Sequence, residues 1–247
     1  MKSTRLAILL SLAALSLSPC RATELLIDGG FEESGTAGQF VGWTIQNQNG
    51  IHSSFQLEAP GTAAQGGPTA QNSPRGGNYY AVSDYYTQDD VGYQAANALL
   101  QTFYVPASFQ SITLSFQMFV NSYAAISGTG HPLDYAISPS QYARVDILSA
   151  DATAFDTGSG VVASLYLGGT TDFNEYSDYS FNLSSTLAAS GTYQIRFADV
   201  YNQSYINMGV DNVSITAVDQ VPEPSSLCML GLGAAGLIWK GRKRFCR

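Results

Sequence analysis

Between Ile112 and Met118 the chain alternates without a break. Ile112, Leu114, Phe116 and Met118 fall on one side and Thr113, Ser115 and Gln117 on the other. A two-residue period belongs to a strand with one buried face. The same period returns in Tyr193-Gln194-Ile195-Arg196-Phe197 and Val213-Ser214-Ile215-Thr216, and more briefly in Val145-Asp146-Ile147 and Leu165-Tyr166-Leu167. Leu99 to Val105 reads as a further strand. Turn signals lie between these runs at Gly158-Ser159-Gly160, Gly168-Gly169 and Ser190-Gly191. Ser184 to Ala189 is the one stretch with a helical cast, and it is barely a turn long. Many short strands with glycine-rich turns predict an all-β chain, folded as an antiparallel β-sandwich.

Both ends depart from that pattern. Lys2 and Arg5 precede an apolar run from Leu6 to Leu17, and Cys20-Arg21-Ala22 offers small residues before a cleavage point. This is the layout of an N-terminal signal peptide, residues 1–22, removed by signal peptidase after Ala22. Acylation of Cys20 is the alternative, but Pro19 stands where lipid-modified sites carry a small residue. At the other end, 221–247 has three parts: Val221-Pro222-Glu223-Pro224, an apolar run from Leu227 to Trp239, and the basic residues Lys240, Arg242, Lys243, Arg244 and Arg247. The prolines break the chain between a folded body and its tail. As a helix the apolar run would be ~20 Å long, against a hydrocarbon core of ~30 Å. Trp239 suits an interface, and the basic cluster would stop on the cytoplasmic side.

That tail resembles the PEP-CTERM sorting signal of Gram-negative bacteria in all three parts. The resemblance implies a membrane exosortase that recognises Val221, Pro222, Glu223 and Pro224. The hydrophobic anchor helix, a short transmembrane segment at 227–239, would then hold the protein only transiently in the inner membrane. Release to the cell surface or extracellular matrix would follow. A permanent single-span anchor and a buried C-terminal helix are the other readings of the same residues. Gly231-Leu232-Gly233-Ala234-Ala235-Gly236 fits the dinucleotide fingerprint, but the chain ends before the unit that motif requires.

The body, 23–220, contains none of the three cysteines and no lysine. Its cations are Arg75, Arg144 and Arg196, against all acids except Glu223, for a net charge of −15. Disulfides therefore do not staple it. So acidic a surface repels nucleic acid and anionic lipid, and suits cations, neutral hydroxyl-rich ligands or simple solubility. A domain of this size can bury a core unaided.

Leu25-Leu26-Ile27-Asp28-Gly29-Gly30-Phe31-Glu32 followed by Gly42-Trp43 resembles the opening strand of galactose-binding-like jelly rolls, which include many carbohydrate-binding modules. Leu100 to Pro106 and Gly209 to Ile215 fit the same pattern, so the three motifs bracket the body. Asp28 stands where that family often has Asn. The resemblance implies a jelly roll whose first and last strands meet, tied by a structural calcium ion (Ca2+) on Asp28, Glu32 and Asp211. The alternative is that Asp211 caps a turn and Glu32 is solvated.

Catalytic patterns are missing: no Gly-x-Ser-x-Gly elbow, no cysteine nucleophile, and His52 and His131 isolated in loop-like surroundings. Asp89 and Asp90 are adjacent, so on a strand they would face opposite ways. Tyrosines are abundant instead. Tyr79, Tyr80, Tyr85, Tyr86 and Tyr93 cluster among Asn78, Asp84 and Gln88, the mix of flat rings and polar groups that grips sugars. Packing on a sandwich face would use the same tyrosines. Two long loops, 58–78 and 121–141, are either insertions or functional. The expectation is an exported, non-catalytic protein associated with extracellular polysaccharide. A purely structural or adhesive matrix protein, and an accessory domain of a glycan-acting enzyme, are the alternatives.

Overall fold

The computed structural model describes residues 21–48, 53–59, 75–85, 94–172 and 175–219, with only the backbone of Asp84 and Tyr85. The sorting tail, the signal peptide before Arg21, Tyr86, Tyr93, His52, the Asp89-Asp90 pair and most of the 58–78 loop lie outside the described residues. Among the described residues no helix is long and apolar enough to cross a membrane.

The strands in chain order are β1 (Ala22–Glu24), β2 (Thr44–Gln48), β3 (Ser53–Glu58), β4 (Tyr80–Tyr85), β5 (Ala95–Tyr104), β6 (Ser111–Ser122), β7 (Gln141–Ser149), β8 (Val161–Gly168), β9 (Ser177–Asn182), β10 (Thr192–Tyr201) and β11 (Ile206–Val218), with one helix, α1 (Glu32–Ala37), after β1. They make two antiparallel sheets. The first runs β3-β4-β11-β6-β9 with β1 also paired to β11, and the second runs β2-β5-β10-β7-β8. The expected sandwich is therefore present, and its first and last strands do meet, Ala22 opposite Val218. The main core lies between the sheets, around Trp43, Phe55, Leu99, Phe116, Phe197 and Ile215.

The outer face of the second sheet is also covered. Ala96, Ala98 and Leu100 of β5, Tyr142 and Leu148 of β7, and Ala198 and Val200 of β10 pack under Leu133 and Ala154 from the loops that follow β6 and β7. The 121–141 loop is thus a packed layer: Tyr142 Oη donates to the His131 carbonyl, and Asn202 Nδ2 donates to the carbonyls of Tyr135 and Ile137. Beneath the neighbouring loop sits a buried ion group. Arg144 and Arg196 both donate to Asp146, and Arg196 Nη1 also donates to the Ala154 and Asp156 carbonyls, at 2.7 Å each.

Two expectations are corrected. Ser184 to Ala189 is not helical; it turns on the Leu183 carbonyl, which accepts from Thr186 and Leu187 N–H. The opening motif is not one strand to Glu32. Pairing ends at Glu24, Asp28 and Phe31 take left-handed φ of 49° and 59°, and the chain enters α1.

Replacing Asp146 with Asn should leave two buried guanidiniums without their shared charge. Breaking a buried ion group costs about 3–5 kcal/mol, so circular-dichroism melting should show a fall of roughly 10 °C or more.

Candidate functional site

α1 is too short to stand by propensity alone, and its N-cap Phe31 offers no side-chain acceptor. The cap comes from three residues further back. Asp28 Oδ1 accepts the Glu33 N–H at 3.0 Å and Oδ2 accepts the Ser34 N–H at 2.7 Å, with the Ser34 hydroxyl donating to the same oxygen. Orphan N–H groups at a helix start favour a carboxylate. Asparagine would present one acceptor where two are in use, which gives Asp28 a reason of its own.

Glu32, the first residue of α1, reaches the segment before β4. Its Oε1 accepts from Asn78 N–H at 2.6 Å and Tyr79 N–H at 3.0 Å. Gly77, at φ 71°, lets the backbone come this close, since a Cβ there would stand 2.1 Å from Glu32 Oε1. Gly35 does the same for the Tyr79 ring, which a Cβ would meet at 2.0 Å. Tyr79 is thereby laid flat against α1.

Together these elements roof an open cleft of about 530 Å³ along the β2/β3 edge. Phe40, Trp43 and Tyr79 supply aromatic wall, Ile45, Phe55 and Leu57 aliphatic and aromatic floor, and Gln39 and Gln56 amides. Trp43 is fixed by its Nε1 donating to the Asp28 carbonyl and by packing on Phe31 with ring centres 5.4 Å apart. Among the described residues no charged side chain lines the cleft.

Of the five expected tyrosines the structure describes the side chains of Tyr79 and Tyr80, and it does not bring these two together. Tyr79 lines the cleft; its neighbour Tyr80 is fully buried against Phe119 and Tyr176. Tyr85 ends β4, and Tyr86 and Tyr93 lie outside the described residues. The sequence reading missed Gln39, Phe40, Gln56 and the part played by Trp43. Their separation along the chain hides them, and Trp43 alone carried a signal.

Asp28, Glu32 and Asp211 were expected to share a calcium ion. Asp28 is engaged by the α1 start. Glu32 and Asp211 grip one segment: Asp211 Oδ2 accepts from Arg75 and Gly76 N–H at 2.8 and 3.2 Å, and Oδ1 from Asn212 N–H. Burial pushes the Asp211 carboxyl up to about 6, and the nearby Glu32 charge adds to that rise. Among the described residues no group of three or more His, Cys, Asp or Glu stands ready to hold a metal ion.

Comparison with known proteins identifies the tail. Residues 220–244 match the PEP-CTERM protein-sorting motif. No curated protein matches the chain. Among solved structures, TmCBM61 in complex with β-1,4-galactotriose is 12% identical with a TM-score of 0.47, covering 78% of this chain and 97% of that one. The K3 cleaved adhesin domain of Lys-gingipain from Porphyromonas gingivalis is 15% identical at 0.47, covering 79% and 99%. A Stig cyclase, Fisc, from Fischerella sp. TAU is 19% identical at 0.47, covering 81% and 99%. These three differ in what they bind or do.

Glu32→Gln should weaken the hold on residues 78–79. Hydrogen bonds to a charged group are worth about 1.5–3 kcal/mol. The expected result is a lower melting temperature together with faster amide exchange at Tyr79. The chain carries the PEP-CTERM sorting motif, and with it the mark of exosortase-dependent export.

Proposed function

We propose that this is an exported, surface-associated, non-catalytic β-sandwich protein that binds extracellular polysaccharide along the β2/β3 cleft. One observation carries the reading: four aromatic side chains and two amides converge on an open cleft that no charged side chain among the described residues lines. Aromatic faces cover the apolar C–H surface of a sugar ring, and amides take its hydroxyls in both directions, as donor and acceptor. The cleft is open along an edge, which suits a chain passing through it better than a small molecule enclosed on all sides. An exosortase is the processing partner that the tail motif implies, and the membrane holds the protein until Val221 to Pro224 is handled.

The test uses protein recovered from the cell surface, whose C-terminus by mass spectrometry should fall within residues 221–225. On a polysaccharide array it should bind glycans, and Tyr79→Ala should weaken that binding about tenfold, the range of one stacking contact with its buried area. The melting temperature should fall somewhat too, because the Tyr79 ring also packs on α1 and the core, so binding is compared well below both melting points. No binding by the unmodified protein would leave a structural or adhesive matrix role standing instead. Recovery of peptides containing Trp239 would favour a permanent anchor.

A structural calcium ion is a narrower proposal of the same kind. Asp28, Glu32 and Asp211 are the residues that would hold it, through carboxylate oxygens that calcium prefers. The carboxyl of Asp211, raised by burial and by Glu32, is the observation in its favour, since a cation would relieve both. Calcium should then raise the melting temperature in proportion to the logarithm of its concentration above Kd. Asp211→Asn should abolish the response, and a melt indifferent to calcium and EDTA would dispose of the ion.

A further inference from the structure

Within the sandwich, at the end where β3 begins, one acid has no cation near it. Asp199 of β10 lies opposite Asn97 of β5 in the ladder, and both are fully buried. Asn97 Nδ2 donates to Asp199 Oδ1 at 2.8 Å and to Ser53 Oγ at 2.8 Å. The remaining oxygens, Asp199 Oδ2 and Asn97 Oδ1, are buried without hydrogen-bond partners. Two acceptors left over on two facing side chains are one proton short. A carboxylic acid at Asp199 carries a hydrogen that this buried set of acceptors otherwise lacks, and an ionised carboxylate has none to give.

The surroundings agree. The Ser83 hydroxyl of β4 and the side chain and backbone N–H of Asn97 lie against the carboxyl and favour its ionised form, but burial outweighs them and no charged group acts on it. The nearest arginines belong to the other face of the sheet: Arg144 pairs with Ala198 and Arg196 with Asp146, one position out of phase with Asp199. Both are spent on Asp146. Burial pushes the Asp199 carboxyl up to about 7.

Asn97 is the link outward. It ties the second sheet to Ser53, the first residue of β3, and β3 pairs with β4 alone. Asn47 of β2 holds the next residue, Ser54, at 3.1 Å. Two and three residues on along β3 come Phe55 and Gln56, which line the cleft.

We propose that Asp199 works as a buried, uncharged carboxylic acid that latches β3 through Asn97 and Ser53, and that its ionisation releases this wall of the cleft. The proposal adds regulation to the polysaccharide-binding reading and rests on it for its purpose, though the latch is measurable without any ligand. The direction follows from linkage. The closed state holds its proton up to about 7, while an opened, hydrated Asp199 titrates near ~3.9. Opening therefore becomes easier as pH rises between those values and levels off above them; the latch is tightest in acid.

Hydrogen exchange of the full chain, corrected for intrinsic rate, should show the opening constant of peptides spanning 53–58 rising by up to roughly tenfold per pH unit from ~4 to ~7. Asp199→Asn keeps the shape without the titration and should flatten that slope. A flat profile in the unmodified protein, or an unchanged slope in the variant, would overturn the latch. Should the variant not fold, carbon-13 NMR of the unmodified protein decides: an Asp199 carboxyl titrating near 4 rejects the proposal, and one titrating near 7 supports it. A polysaccharide array at pH 5 and pH 8 separates the two readings. Binding lost at pH 8 supports gating, and equal binding at both rejects it. Sloped exchange with no array signal at either pH removes the polysaccharide and leaves the latch.

Discussion

One carboxylate is shared between two guanidiniums under the loop that follows β7. Arg144 meets Asp146 through Nε and Nη2 at 2.6 Å each, and Arg196 meets it from β10 at 3.1 and 2.5 Å. Three charges out of water are costly, and such a group holds together only when its donors are satisfied. Arg196 does this by reaching up to two loop carbonyls, so the ion group also fastens the loop to the sheet. Once the loop is down, the outer face of β5, β7 and β10 is as dry as the inner one over most of its length. Ile195 to Tyr201 is buried without interruption as a result.

That double burial decides what the sequence shows. β6 alternates because the outer side of its first half meets solvent, and its period is plain from Ser111 to Gln117. β5 and β10 have no wet face over most of their length, so Ala95-Ala96-Asn97-Ala98-Leu99-Leu100 carries no period to find. A continuously buried strand cannot be told by periodicity from a buried helix. Turn chemistry fared better: Gly168 ends β8 and Gly191 leads into β10. α1 was illegible for another reason. Its cap is Asp28, set off from the helix by a left-handed Phe31, and no N-cap pattern in the sequence covers that spacing.

The cleft lay hidden in the same way. A density of tyrosines is visible in a sequence, but neighbours part company: Tyr79, just before β4, lines the cleft, and Tyr80, its first residue, is buried against Tyr176. The cleft itself is assembled from α1, the turn before β2, and the facing edges of two different sheets. Only the three-dimensional meeting of β2 and β3 brings Gln39 and Gln56 to one place. Unprotected sheet edges invite pairing with other chains. Here the first turn of structure after β1 closes over that edge and leaves a groove instead.

The acids explain what lack of lysine does to such a body. Among the described residues only Asp146 finds buried arginine partners. Asp28, Glu32 and Asp211 are met by backbone N–H groups, which stabilise a carboxylate without cancelling its charge. Those interactions bind α1 to the segment before β4 and that segment to β11, so the acidic residues at the two ends of the body are structural ties as well as surface charge. Asp211 and Asp199 go further and sit where burial outweighs their partners, raising both carboxyls. Ionising either one therefore costs folding free energy, and the cost grows as pH climbs from the ordinary carboxylate range toward neutrality. Asp146, Asp28 and Glu32 tie the fold by accepting hydrogen bonds, while Asp199 and Asp211 tie it where burial resists their ionisation.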